Sequence, residues 1–514
     1  MQFRNGDHEL PPITNGYGEV NLSALESHLW QAANILRGPV DAADFKTYIF
    51  PLLFFKRISD VYDEEFKRAV EESGGDLEFA VFAENHRFQI PDGCHWRDIT
   101  ALTVDVGRAL EDAFRRIEHA NPQHLGDIFG DAQWANKDRL SDELLVNLVD
   151  HFSKIDLSNA RVSADIAGQA YEYLIKKFAD ATKRKAGEFY TPRSVVHLMT
   201  RLLDPQAGET IYDPACGTGG MLLEAVNHVR EHGQDIRRLR GKLFGQEKNL
   251  TTWTIAKINL FLHGIEDFDL RYGDTLRNPA FFDDNGRLKT FDCVIANPPF
   301  SLAMWGDDVW MNDPYGRNFA GLPPKKCGDF AWVQHMIRSM DAQKGRMAIV
   351  LPHGALFRMG SERRIRTAIL DMDLLDMVIG LAPNLFYGTG LAAAILVLRH
   401  NKPQDHKRQV LMIDASKQFG RGKNQNTLEA EHVSAIHDWC RSYRDIDGIA
   451  KVVSVDEIAS NDYNLNISRY IEREATEETI SLGEALKYLE WSLEEAYAAE
   501  NYLEALLREA RLMS

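Results

Sequence analysis

The apolar run Phe291-Asp-Cys-Val-Ile-Ala296 ends in Asn297-Pro298-Pro299-Phe300, and this junction constrains the fold more than any other feature of the chain. A short apolar strand suits a parallel sheet covered on both faces, and its carboxyl end is where an open α/β sheet forms a ligand crevice. Two prolines fix the backbone and have no N–H to donate, so the turn offers carbonyls. Asn297 adds a side-chain carbonyl, and Phe300 adds a flat apolar face. Two acceptors and a ring suit methylation of a planar exocyclic amine. Taken alone, the four residues read more readily as a turn that merely opens a loop, so the neighbouring segments decide.

Upstream, Ile211-Tyr-Asp213-Pro-Ala-Cys-Gly217-Thr218-Gly219-Gly220 precedes the helically spaced Met221-Leu-Leu-Glu-Ala-Val226, which predicts strand, glycine loop and helix. The glycines admit a nucleotide-like ligand close to the backbone. They do not fit Gly-x-Gly-x-x-Gly, and Asp213 suits a cationic amino-acid ammonium better than a pyrophosphate, which favours S-adenosylmethionine over a dinucleotide. Lys242–Glu247 predicts the next strand, with Glu247 placed to chelate ribose hydroxyls. Phe268–Thr275 predicts a third, with Asp274 placed to accept from the cofactor's adenine amine. Either acid could instead cap the following helix; their joint order favours the ligand reading. The segment Gly187-Glu188-Phe189-Tyr190-Thr191-Pro192-Arg193 precedes a helix-like stretch, Ser194–Leu203. Phe189 or Tyr190 could attract a sulfonium, an interaction worth about 0.5–2 kcal/mol. The same residues fit a hydrophobic staple with Pro192 opening the helix.

With these segments in this order, the chain resembles the modification (methyltransferase) subunit of type I restriction-modification systems, which methylates adenine at N6. Leu29–Gly38 and Phe50–Asp60 are similar to the family's helical amino-terminal domain, and Asn461-Asp-Tyr-Asn-Leu-Asn466 to its closing segment. The resemblance implies cofactor contacts from Glu188, Phe189, Tyr190, Thr191, Pro192 and Arg193, from the loop residues Gly217, Thr218, Gly219 and Gly220, and from Glu247. Asp213 and Asp274 are implied as additional contacts. Asn297, Pro298, Pro299 and Phe300 would form the catalytic turn of a DNA adenine methyltransferase. Phe300 stands where tyrosine is often found, and stacking needs only the ring. In the implied mechanism, Asn297 and the Pro298 carbonyl accept the amine's hydrogens and aim its lone pair at the methyl group of an adenine flipped out of the duplex. The implied assembly joins two such subunits to one specificity subunit reading double-stranded DNA, with a restriction subunit added for cleavage.

The expected fold is α/β: a doubly wound, mostly parallel Rossmann-like core of about seven strands, including an antiparallel strand that the resemblance implies. Residues 1–160 would form a helical unit, 161–420 the methyltransferase core, 421–470 a mixed connecting segment and 471–514 an amphipathic docking helix. The start, Met1-Gln-Phe-Arg-Asn-Gly-Asp-His, has no apolar signal region, and the five cysteines have no paired spacing, which predicts reduced thiols in a cytoplasm, bacterial or archaeal as the resemblance implies. No zinc spacing occurs, so no metal is predicted. Pro383, Asn384, Gly388 and Gly390 interrupt the longest uncharged stretch, Leu381–Leu398, which argues against a membrane helix.

A formal charge of −17 predicts weak DNA binding by this chain alone, because Lys and Arg supply most sequence-independent affinity. Seven Lys or Arg lie between Arg399 and Lys423, and Lys183-Arg-Lys185 precedes the aromatic segment; such runs face phosphates or simply water. From Ser481 to Met513, Leu482, Leu486, Leu489, Leu493, Ala496, Leu503 and Leu507 predict a long amphipathic helix. Residues 470–514 hold eleven Glu against four Lys or Arg, so that helix suits protein rather than DNA, either a partner or its own core. Two other readings use the same motif. Glutamine side-chain methyltransferases carry an Asn-Pro-Pro-aromatic turn in much shorter chains, and an inactive scaffold would bind cofactor or partner only.

Overall fold

The computed structural model describes residues 20–181, 191–386, 389–422, 425–471 and 482–509. Helices dominate up to Ala181. The first, Leu22–Leu36, is opened by Asn21, whose side chain accepts from the N–H groups of Ser23 and Ala24, and it buries Leu25, Leu29, Ala32, Ala33 and Leu36 along one stripe. The second, Phe45–Glu72, is apolar all round through Tyr48–Phe55 and is buried accordingly. Helices Val106–Ala120, Asp142–Ser153 and Ala164–Ala181 complete one continuous apolar cluster. That cluster runs past residue 160, since Tyr171, Leu174 and Phe178 belong to it.

Inside it, the imidazoles of His28 and His151 stack with centroids 4.0 Å apart, and burial holds His28 down at about 4. Unfolded, the same ring titrates near 6.5, so between the two values the unfolded chain binds the extra proton. Stability from this group is therefore complete above about pH 6.5 and is lost as pH falls toward 4. Thermal unfolding followed from pH 7.5 to 5 should show a falling midpoint, and His28→Gln should flatten that slope.

Nine strands form one sheet in the order β3-β2-β1-β4-β5-β7-β6-β8-β9. They span Ile211–Asp213, Leu243–Glu247, Phe268–Tyr272, Cys293–Ala296, Arg346–Pro352, Leu375–Leu381, Ala393–Arg399, Gln409–Ala415 and Ala450–Ser454, numbered β1 to β9. β1, β2, β3, β4 and β5 are mutually parallel, as are β6 and β8, whereas β7 runs antiparallel to both β5 and β6. Helices cover both faces, which is why β5 is buried at every position. Its pleat sends Ala348 and Val350 into one apolar layer and Met347, Ile349 and Leu351 into the other.

The sheet exceeds the expected seven strands by β8 and by β9, which pairs antiparallel to β8. β8 lies inside the basic run, where flanking charges masked the apolar Gln409-Val-Leu-Met-Ile-Asp-Ala415. Three cations of that run are held internally: Arg399 by Asp376 at 2.9 Å, the buried Lys402 by Asp373 at 2.8 Å, and Arg408 by Asp456 at 2.7 Å. Residues 430–442 and 455–460 are helices whose apolar sides pack on the sheet. The helix Leu482–Glu509 follows, with every described side chain exposed except the half-buried Leu507. Among the described residues no helix is long and apolar enough to cross a membrane.

Candidate active site

Strand order reverses at β1, which has β2 on one side and β4 on the other, so the crevice of the sheet lies beyond the carboxyl ends of β1 and β4. Both sequence motifs leave the sheet there. Ile211 is level with Cys293 and Tyr212 with Val294, which brings Asp213 beside Ile295, two residues before Asn297.

The glycine loop turns from β1 into the helix Gly220–Glu231 through Gly217 and Gly219, whose φ values of 53° and 79° lie in the left-handed region. Three neighbours hold it. Glu247 at the end of β2 accepts from Gly217 N at 3.1 Å, Asn259 donates to the Thr218 carbonyl at 2.9 Å, and Thr275 donates to the Pro214 carbonyl at 2.6 Å. The other Glu247 oxygen accepts from Asn249 N at 2.7 Å, and Asn249, not Glu247, caps the helix Leu250–Leu262. Asp274 closes a turn, accepting from the amides of Leu276 and Arg277, and pairs with Lys248 at 2.7 Å.

Asp213 differs from both. It is 2% exposed, its side chain accepts from Ala215 N at 3.0 Å, and no salt bridge reaches it among the described residues. Burial, reinforced by the nearby Glu247 charge, pushes its carboxyl up to about 8. A buried, unpaired acid at the mouth of a glycine loop is a site in want of a cation. A buried acid at Asp213 and a second carboxylate at Glu247 beside the glycine loop fit the ammonium and the ribose of S-adenosylmethionine.

Asn297 holds the most telling single atom. Its Nδ2 donates to Thr191 Oγ1 at 2.9 Å, while its Oδ1 is buried and has no hydrogen-bond partner among the described residues. Buried acceptors are almost always satisfied, so a free one at a crevice marks a place where a ligand donor belongs. The Thr191 bond also joins the start of the helix Arg193–Leu203 to the turn. Pro192 directly precedes the helix Arg193–Leu203, and Arg193 pairs with Glu172 at 3.2 Å. Glu188, Phe189 and Tyr190 lie outside the described residues. Pro298 is buried and Phe300 half-buried, its ring 5.6 Å from that of Phe386 at 64°.

Sequence reasoning missed Phe386, Asn259 and the group behind the turn, Asp329 and Arg358. None has a local signature. Cys327, Asp329 and Glu362 lie close enough together to suggest a metal site, but Arg358 Nη1 donates to all three at 2.8–3.0 Å and occupies that position. At a second such cluster, Asp204, His228 and His232, the Asp204 Oδ1 and His228 Nε2 atoms already bond each other at 2.7 Å.

Comparison with known proteins identifies the family. Residues 162–479 match the family described as N-6 DNA Methylase, and residues 25–152 match the HsdM N-terminal domain. The chain is 34% identical over 504 residues to the type I restriction enzyme MjaVIII methylase subunit of Methanocaldococcus jannaschii, covering 93% of this chain and 83% of that one. It is 33% identical to the MjaVII methylase subunit of the same organism, covering 90% and 80%. The crystal structure of a type I restriction-modification system methyltransferase subunit from Streptococcus thermophilus superposes with a TM-score of 0.76 at 32% identity, covering 88% of this chain and all of that one.

Proposed function

This chain belongs to the N-6 DNA methylase family, among the methylase subunits of type I restriction-modification systems, and from that premise we propose how its own residues methylate adenine N6 in DNA. When bound, S-adenosylmethionine supplies an electrophilic methyl group on a sulfonium. The adenine amine is a poor nucleophile because its lone pair is delocalised into the ring. Asn297 Oδ1 and the Pro298 carbonyl accept the two amine hydrogens, favour a pyramidal nitrogen and hold its lone pair in line with the methyl group. The free acceptor on Asn297 is the observation that carries this reading. The target base leaves the duplex at a cost of a few kcal/mol, and stacking on Phe300, typically worth about 1–3 kcal/mol, offsets much of it. Digestion of methylated DNA to nucleosides tests the chemistry: N6-methyldeoxyadenosine is the expected product, and label appearing instead in a glutamine peptide would sink the reading.

Asp213 ties cofactor binding to pH. Its carboxyl, held near 8 in the free protein, must ionise to receive an ammonium. Affinity for S-adenosylmethionine should therefore rise through the neutral range, approaching tenfold per pH unit below that value, and fall again at higher pH as the ligand's own α-ammonium, which titrates near about 8, loses its proton. Calorimetry in buffers of different ionisation enthalpy should detect the released proton, and Asp213→Asn should abolish that rise along with most of the affinity.

Recognition lies with a partner. A net charge of −17 disfavours sequence-independent DNA affinity, and Arg399, Lys402 and Arg408 of the basic run pair with carboxylates of this chain. The exposed helix Leu482–Glu509 docks a specificity subunit, two methylase subunits serve each specificity subunit, and a restriction subunit completes the cytoplasmic complex.

A further inference from the structure

The catalytic turn needs an anchor it cannot supply itself. Pro298 and Pro299 have no N–H, so nothing within the turn ties its backbone down, and the next residue, Ser301, sits at φ 50°, in the left-handed region that costs a non-glycine residue energy. The first amide after the prolines that contacts a neighbouring element is that of Ser301, which donates to Asp329 Oδ1 at 2.7 Å. Asp329 opens the helix Asp329–Arg338 and is 1% exposed. Its other oxygen accepts from Arg358 Nη1 at 2.8 Å, and Arg358 Nη2 reaches back to Ser301 Oγ at 3.4 Å. Arg358 is itself fixed by Glu362 at 3.0 Å. One residue further on, Gly328 N donates to the Leu302 carbonyl at 3.0 Å, where a Cβ on Gly328 would meet Trp305 at 2.8 Å.

We propose that Asp329 and Arg358 are positioning residues for methyl transfer: together they clamp Ser301 and so set where the Asn297 and Pro298 acceptors stand relative to the methyl group. Neither touches the reacting atoms. The inference rests on the reading of Asn297 and Pro298 as the amine's acceptors. Holding the turn matters because the acceptors act only in near-attack geometry, where a displacement of about 1 Å can cost about 100-fold in rate.

Single-turnover methyl transfer in the assembled complex, saturated with cofactor and DNA, measures the rate per active site separately from the amount of folded enzyme. Asp329→Ala should slow that rate by about 100-fold while cofactor affinity changes by less than about twofold. Asp329→Asn, whose amide oxygen can still accept from Ser301 N–H, should recover all but about tenfold of it. A normal rate per site in Asp329→Ala, with only a lowered melting temperature or yield, would overturn the proposal, as would Asp329→Asn being as slow as alanine. Should Asp329→Ala fail to assemble, Arg358→Met and Arg358→Lys serve in its place: a slow methionine variant with a partly restored lysine variant supports the clamp, and equal, normal rates contradict it. Asn297→Ala in the same assay separates the two ideas, since normal transfer there removes the acceptor reading itself.

Discussion

Asn297→Ala should lower the methyl-transfer rate by about 10²–10³-fold, the loss seen when one preorganised hydrogen-bonding group is removed from the reacting atoms. Cofactor affinity should barely change, because the proposed cofactor contacts, Asp213, the glycine loop and Glu247, lie elsewhere in the crevice. Stability should hold or rise. The wild-type Oδ1 is a buried acceptor with no partner among the described residues, a cost to the fold that the variant removes along with the bond to Thr191. A slower yet no less stable enzyme is the signature of a group kept for function against the interest of the fold. Asn297→Asp retains an acceptor and should fall between the two. Loss of stability in step with activity would point to a structural role instead.

The second large effect concerns the helix Leu482–Glu509. Leu486, Leu489, Trp491, Leu493, Tyr497 and Leu503 are each 46% or more exposed, an apolar surface that a chain acting alone has little reason to keep. Its glutamates make it a poor ligand for DNA, so the proposed occupant is a protein helix or groove with apolar and basic character. Leu486→Glu combined with Leu493→Glu should weaken assembly with the specificity subunit by at least about 100-fold, as expected when two central apolar contacts are replaced by charge. Melting temperature and cofactor binding of the isolated chain should not move, because both side chains already face water. Sedimentation of the mixed subunits reads the outcome, and an unchanged complex would place the docking surface elsewhere.

The parts of this fold that were readable in sequence are those fixed by local patterning. β1, β2, β3 and β4 each end within two residues of a chemically marked position, Asp213, Glu247, Asp274 or Asn297, because turn residues and carboxylates cluster where parallel strands end. β8 and β9 were not readable. One is an apolar run set among cations, and the other, Ala450-Lys-Val-Val-Ser454, is a five-residue edge strand only half buried. Of the basic run, which reads in sequence as facing phosphates or simply water, Arg399 and Lys402 pair with Asp376 and Asp373, while Lys407, Lys417 and Arg421 stay exposed.

The site followed the same rule. Its acids and its turn lie in contiguous motifs, whereas the bonds that hold it join residues far apart in the chain: Asn297 to Thr191 over 106 residues, Asn259 to Thr218 over 41, Ser301 to Asp329 over 28. No periodicity encodes such pairs. They are set by which helix the topology brings behind which strand end, and that becomes visible only once the sheet order is known.

Transfer of labelled methyl from S-adenosylmethionine to unmethylated DNA, by this chain alone and together with its specificity subunit, tests the central claim most directly. Label on adenine N6 in the pair, and none with the chain alone, is the predicted result. Efficient methylation by the chain alone would contradict the assignment of recognition to a partner, and no transfer by a verified complex with bound cofactor would contradict the assigned chemistry.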